Sequence, residues 1–387
     1  MSSKAPYWRL SAFYLFYFAS LGALVPYWGL YLKSQGFDAR AIGILMAIIM
    51  ATKIVSPNIW GWIADHTGKR MSIVQLGSLL AALTFTGVYL ASGFWWLALV
   101  MAMFSFFWNA ALPQFEATTF SHLAGQTHRY SSIRLWGSVG FILSVWSVGY
   151  ALEGQAIQWL PHVLLFLFAA IWLSSIAVPE EAAGHMPLDH QPLRQVLGKP
   201  AVVGLLVTCF LMQASHGPYY TFYSIYMEEM GYGLSKIGVL WALAVLAEVG
   251  AFMVMHRLMP RYGARHLLIL ALILTTLRWI LIALFPQWTS IMIFAQLLHA
   301  ASYGVYHAAA IHLIHQFFIG RHQGKGQALY SSLSFGAGGA VGSLYSGYLY
   351  DLAGPLMMYS IAAGLSLAGM LVVYRFVYPP DNEAGAG

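Results

Sequence analysis

Charge is scarce in this sequence. Asp, Glu, Lys and Arg make up 8% of 387 residues, against about 25% in an ordinary soluble domain. A water-soluble fold of this length could not cover its surface with so few charges. Cysteine is nearly absent as well: Cys209 stands alone, so no internal disulfide can form. Polar stretches are short, and the longest is 179–199, with Pro179, Glu180, Glu181, Asp189, Pro192, Arg194 and Lys199. The loops offer no paired carboxylates, metal-ligand cluster or phosphate loop. That argues against a membrane-embedded enzyme, and no cofactor or metal is expected. Met1 to Tyr7 is too short for a signal peptide, so no cleavage is expected.

What is abundant is apolar. Such residues form 59% of the chain, in blocks near the roughly 20 residues that cross about 30 Å of hydrocarbon. Lipid cannot satisfy backbone groups, and the blocks do not alternate in polarity, so they read as helices and not as barrel strands. Twelve are expected, at 8–32, 40–63, 71–91, 94–118, 132–153, 160–178, 200–227, 235–256, 265–285, 288–316, 325–350 and 355–377. The fold class is an all-α membrane protein embedded in a lipid bilayer.

The net charge of +6 does not imply a nucleic-acid partner, because the basic residues sit in short loops and report topology. With the N-terminus in the cytoplasm, that side holds Lys4, Arg9, Lys69, Arg70, Arg129, Arg194, Lys199, Arg257, Arg261, Arg265, Arg321, Lys325 and Arg375. The other side holds Lys33, Arg40 and Lys236. Both termini are therefore expected in the cytoplasm, in a bacterial inner membrane.

The chain repeats. A shift of 195 residues brings Tyr31 onto Tyr226, Gly36 onto Gly231, Gly43 onto Gly238, Gly68 onto Gly263 and Arg70 onto Arg265. Further on the shift is 198: Gly140 meets Gly338, Gly149 meets Gly347 and Glu153 meets Asp351. This predicts two pseudo-symmetric six-helix bundles, 1–178 and 200–387, joined by a cytoplasmic linker at 179–199. Parallel repeats of this kind place their site at mid-membrane, between the halves.

Ionisable residues inside spans are costly and are functional candidates by default. They are Lys53, Glu116, Arg134, Glu248, Arg278 and His299. The shift of 195 makes Lys53 and Glu248 mates, opposite in charge and equal in depth, as if facing one cavity; a structural ion pair is the competing reading. Helix 10 carries Gln296, His299, Ser302, Tyr303, Tyr306 and His307, mostly on one face. Tyr27, Trp28 and Tyr31 follow Pro26, and Tyr219, Tyr220 and Tyr223 follow Pro218. These clusters read either as an interfacial belt or as a stacking wall for a ring-bearing solute.

Between helices 2 and 3 runs Gly61-Trp62-Ile63-Ala64-Asp65-His66-Thr67-Gly68-Lys69-Arg70, which matches the loop signature of the major facilitator superfamily. Gly61 would admit close helix approach, Asp65 would pair with a basic residue or a helix N-terminus, and Gly68 would make the turn. The second half has Pro260 where Asp65 would map. With Pro26-Tyr27-Trp28 and Lys53-Ile54-Val55-Ser56-Pro57-Asn58-Ile59-Trp60-Gly61, the chain resembles the phenylpropionate permease family. That is a superfamily branch akin to lactose permease and nucleoside–proton symporters.

The resemblance implies that Gly61, Asp65, Gly68, Lys69 and Arg70 latch the outward-facing state. It implies that Glu116 and Arg134 hold the solute, and that Glu248, Arg278 and His299 handle protons. Ser302 stands where lactose permeases carry a Glu, which moves the proton carrier to Glu248. Lys53 has no lactose-permease equivalent and suggests an anionic solute, with Tyr27, Tyr31 and Tyr223 as further binding candidates. The expected function is monomeric, proton-coupled symport of a small aromatic carboxylate by alternating access. Symport of a neutral sugar or nucleoside, and efflux of a hydrophobic compound, remain alternatives.

Overall fold

The computed structural model describes residues 6–123, 129–154, 157–180, 193–320 and 322–378. Lys4, Glu181, Asp189, Pro192 and Arg321, with most of the 179–199 linker, lie outside the described residues. Among those described, the chain is helical throughout. The first half holds α1 (Tyr7–Ser34), α2 (Ala39–Thr67), α3 (Arg70–Tyr89), α4 (Phe94–Leu123), α5 (Tyr130–Leu152) and α6 (Ile157–Ile176). The second holds α7 (Pro200–Glu229), α8 (Leu234–Tyr262), α9 (Ala264–Leu284), α10 (289–317), α11 (322–353) and α12 (355–376). The last two are one helical run of 55 residues, about twice what a bilayer needs. Gly354, at φ 76°, divides it into two crossings ahead of Pro355. In α10 a π-helical stretch, Ala300–Val305, sits mid-span. A second π stretch, Ser332–Gly338, lies in α11, and α7 breaks at His216 before Gly217 and Pro218. Large apolar side chains such as Leu143, Phe166, Leu173 and Leu371 are exposed on the outer faces, the surface that lipid covers.

The repeat is structural. Matched glycines share a positive φ that other residues avoid: Gly36 and Gly231 at 85° and 84°, Gly68 and Gly263 at 67° and 74°, the last pair differing in ψ. The two halves meet through crossed pairs. Gly43 of α2 lies against Gly347 of α11, where a Cβ on Gly43 would come 2.7 Å from the Gly347 Cα. Its mate Gly238 of α8 lies against α5, where an added Cβ would meet the Val145 carbonyl at 2.6 Å. Both contacts admit only glycine.

Polar links join the halves at this same end. Lys33 pairs with Glu228 and Glu229 at 3.3 and 3.0 Å. The Asp351 carboxylate accepts from the Ala39 amide, and the Glu153 carboxylate from the Ser235 amide. One apolar core runs across the halves here, from α1 through Tyr226 to Tyr359. A second, built from α7, α9 and α10 (Val202, Leu268, Leu313), stays within the second half. The bundle is thus closed at the Glu153/Asp351 end.

Candidate functional site

Between the halves lies a cavity of about 1090 Å³, counting its open mouth. Phe18, Lys53, Arg134 and Phe141 line it from the first half. Gln213, Tyr220, Trp241, Glu248, His299, Tyr303, His307 and Phe335 line it from the second. Lys53 and Glu248 therefore face one space, as their repeat relation suggests.

Neither cation from the first half forms an ion pair among the described residues, though Glu116 and Glu248 lie within electrostatic reach of Arg134. Lys53 makes no hydrogen bond or ion pair among the described residues. The Arg134 guanidinium lies over the Phe18 ring, its Cζ 3.8 Å from the centroid, with Tyr14 at 5.6 Å. The sequence provides for that pose: a Cβ at Gly137, one turn on, would sit 2.6 Å from Arg134 Nη1 and 2.8 Å from Phe18. Gly140 and Gly22 bring α5 and α1 into backbone contact beside it. A cation over an aromatic face keeps much of its electrostatic stabilisation without an anion and leaves its N–H fork available to a ligand.

Arg278 of α9 is fully buried, and four of its five N–H groups are bonded. Its Nε donates to the Ala295 carbonyl at 3.0 Å, and Nη1 donates to His299 Nδ1 and Ser302 Oγ, each at 2.9 Å. Nη2 donates to Gln296 Oε1 at 3.1 Å, and the guanidinium sits 4.2 Å over the Tyr219 ring. Arginine only donates, so His299 Nδ1 must present its lone pair. The proton of neutral His299 is then on Nε2, 3.6 Å from Glu248 Oε2. Arg278 thereby sets the tautomer of the ring that faces the carboxylate. Ser302 takes part as an acceptor for Arg278, not as an acid.

Along α10 the rings of His299, Tyr303 and His307 stack in sequence. Their centroids are 5.6 and 5.7 Å apart, with interplanar angles of 19° and 9°. The π stretch between His299 and Tyr306 falls on this ladder, and π-helical turns often mark functional sites.

The other candidates stand outside the cavity lining. Glu116 accepts from the Tyr130 hydroxyl at 3.3 Å, behind the wall. Tyr27 donates to the Val145 carbonyl at 2.6 Å, within the α5/α8 crossing. Tyr31 stacks on Trp28 at 4.7 Å, near the closed end. Tyr223 is buried beside Tyr219 and Trp241, and its hydroxyl has no partner among the described residues. The signature segment is more helical than the sequence suggests: α2 continues to Thr67, so Gly61 and Asp65 sit on the helix and Gly68 caps it. Gly61 is not at a tight crossing here, since an added Cβ would meet only Gln114, at 3.5 Å. Asp65 is 69% exposed and pairs with Arg70 at 3.2 Å. Lys69 is the N-cap of α3.

Gln213, Trp241, Phe18 and Phe335 were not singled out from the sequence. The shift of 195 could have found two of them. It carries Phe18 onto Gln213, as it carries Val25 onto Tyr220, Met50 onto Val245 and Lys53 onto Glu248, and all eight line the cavity.

Known proteins share this arrangement. The chain is 26% identical to a probable 3-phenylpropionic acid transporter of Escherichia coli (strain K12) over 356 residues, 88% of this chain and 90% of that protein. It is 28% identical to a maltose permease of Geobacillus stearothermophilus over 381 residues, 94% of each. The crystal structure of a mutant of the nucleoside transporter NupG superposes with a TM-score of 0.85 at 15% identity, covering 95% of this chain and 98% of that one. A family model, that of the MFS_1 like family, matches residues 7–361. Among the described residues the helices make twelve crossings in two repeated halves around a central cavity, and the chain is a transporter of the MFS_1 like family of the major facilitator superfamily.

Proposed function

We propose that this protein is a proton-coupled symporter of small aromatic carboxylates. The observation that carries the reading is the pair Lys53 and Arg134, two cations on one apolar, ring-lined cavity, neither held in an ion pair or hydrogen bond among the described residues. An anion leaving water needs a fixed positive partner, and these two are unclaimed. The name of the Escherichia coli relative agrees with an aromatic acid. Protons enter through Glu248, whose carboxylate shares the cavity and touches the His299 and Arg278 chain.

Charge balance ties the two cargoes together. Lys53, Arg134 and Arg278 oppose Glu248 and Glu116 around the cavity. A proton on Glu248 raises the local positive charge, which favours the anion; the anion in turn favours the proton. Such mutual favour is a coupling free energy and is reciprocal.

On the basic-residue count, the closed Glu153/Asp351 end faces outward, both termini are cytoplasmic and the conformation is inward-facing. The bundles 1–178 and 200–387 rock about the cavity as one monomer. The Gly61, Asp65, Gly68, Lys69 and Arg70 cluster engages when the inner end shuts. The test is uptake of labelled phenylpropionate into proteoliposomes with and without an inwardly directed proton gradient, with maltose and uridine as competitors. Gradient-driven accumulation blocked by aromatic acids is the expected result. Accumulation of maltose or uridine in place of the acid would replace this reading with symport of a neutral solute.

A further inference from the structure

We propose that His307 is a second solute-recognition residue, donating from Nε2 to an oxygen on the ring of the transported acid, so that ring-hydroxylated aromatic carboxylates are preferred. This rests on the reading of the cavity as an aromatic-carboxylate site. His299 and His307 stand eight residues apart on α10, two stacking steps of 5.6 and 5.7 Å through Tyr303, and each has Nδ1 taken by a neighbouring helix. Arg278 of α9 holds the first at 2.9 Å, and the Tyr330 hydroxyl of α11 the second at 2.8 Å. Phenol is the stronger acid of the pair and imidazole the stronger base, so Tyr330 donates and Nδ1 accepts. The proton of His307 is then on Nε2, the remaining hydrogen-bonding atom of a ring that lines the cavity.

The ring cannot turn freely. Tyr303 stacks on it, Phe252 meets it edge-on at 6.4 Å and Phe335 lies at 6.1 Å. Those same aromatic faces suit the ring of a solute, so an N–H set among them meets a ring substituent. The carboxylate is left to Lys53 and Arg134. Tyr330, 1% exposed, acts through His307 as a positioning residue.

The test is competition against labelled phenylpropionate by unlabelled phenylpropionate and by its meta- and para-hydroxylated forms. Wild-type protein should favour one hydroxylated acid by roughly three- to ten-fold, the worth of one neutral hydrogen bond. His307→Phe should erase the preference among the three acids, whatever it does to their common affinity. Tyr330→Phe should reduce it, and His307→Gln, which keeps an N–H, should preserve part of it. Melting curves in detergent identify variants that fold; if His307→Phe does not, the other two carry the comparison. Equal affinity of wild-type protein for all three acids overturns the His307 assignment alone, as does a preference that survives loss of the imidazole. Failure of every aromatic acid to bind wild-type protein sinks the carboxylate reading and this one with it.

Discussion

Glu153 and Asp351 hold equivalent places in the two halves, and each carboxylate accepts from an amide at the start of a helix in the other half. Asp351 takes the Ala39 N–H of α2 at 3.2 Å, and Glu153 takes the Ser235 N–H of α8 at 2.5 Å. A helix N-terminus has unsatisfied donors and partial positive charge, so a carboxylate there is favoured. The repeat sets these two links on opposite sides of the pseudo-twofold axis, like a pair of matched clasps. Opening this end requires both to break.

Neutralising the clasps should therefore release the closed end. In a Cys209→Ser background, a cavity cysteine introduced by Ser138→Cys reports access from outside to an impermeant maleimide. Glu153→Gln with Asp351→Asn is expected to raise labelling several-fold, with each single change intermediate. Unchanged labelling in the double variant would show that the Lys33 ion pairs, the apolar core and the glycine contacts hold this end without the clasps.

The glycine crossings predict a related outcome through shape in place of charge. A methyl group at Gly347 would come 2.7 Å from the Ala39 carbonyl and 2.9 Å from the Gly43 Cα. Gly347→Ala should push α11 from α2 and favour the outward-open form in the same labelling assay. Gly364→Ala is the control, because an added Cβ there meets nothing within 4 Å, and it should leave labelling unaltered.

Much of this architecture is legible in the sequence, because lipid imposes length and apolarity on every span and the repeat sets the pairing of halves. The shifts of 195 and 198, which align Gly43 with Gly238 and Gly149 with Gly347, pick out glycines that stand at the two crossings. Site residues were harder to read. Lys53 and Glu248 stood out as charges, whereas Gln213 and its mate Phe18 differ in type and carry no charge to notice. Tyr27, Tyr31 and Tyr223 stand in sequence clusters that suggest a wall, but their depth places them in packing toward the closed end or behind Trp241. Which face of a span meets the cavity depends on helix rotation, and an apolar helix encodes that weakly. Asp65 was misplaced by part of a turn because α2 keeps its helical bonds as far as Gly68.

Asp65 should matter in one conformation only. Here it pairs with adjacent Arg70 while mostly exposed, an arrangement worth little. Asp65→Asn should leave the melting temperature of this form nearly unchanged yet slow net transport, by destabilising the state in which the inner end is shut. A substantial loss of thermal stability with transport intact would contradict a role in the conformational cycle.

Solute affinity should divide between the two free cations. Lys53→Met and Arg134→Gln are each expected to weaken phenylpropionate binding by at least about 10-fold, the lower worth of a charge-assisted hydrogen bond. Arg134→Lys should recover little, since lysine keeps the charge but loses the planar fork that lies on Phe18. Titration by scintillation proximity measures each affinity directly. Full affinity in both neutral variants would leave the anion without a partner and favour a neutral solute.

Glu248 should carry the coupled proton, and its neighbours explain how release could be controlled. In this conformation Arg278 occupies His299 Nδ1, so His299 turns its N–H toward Glu248. If the halves rock and α8 shifts against α10, that contact breaks and the two conformations hold the proton unequally. A difference in affinity between the two conformations is what lets a proton gradient drive the cycle. Glu248→Gln mimics the protonated form in shape and charge. It should abolish uphill accumulation driven by a proton gradient while exchange of labelled for unlabelled solute continues. Because one proton would accompany one monocarboxylate, wild-type uptake should be electroneutral and indifferent to a potassium–valinomycin potential. Uphill accumulation by Glu248→Gln, or uncoupled exchange produced by Glu116→Gln alone, would move the proton site to the first half.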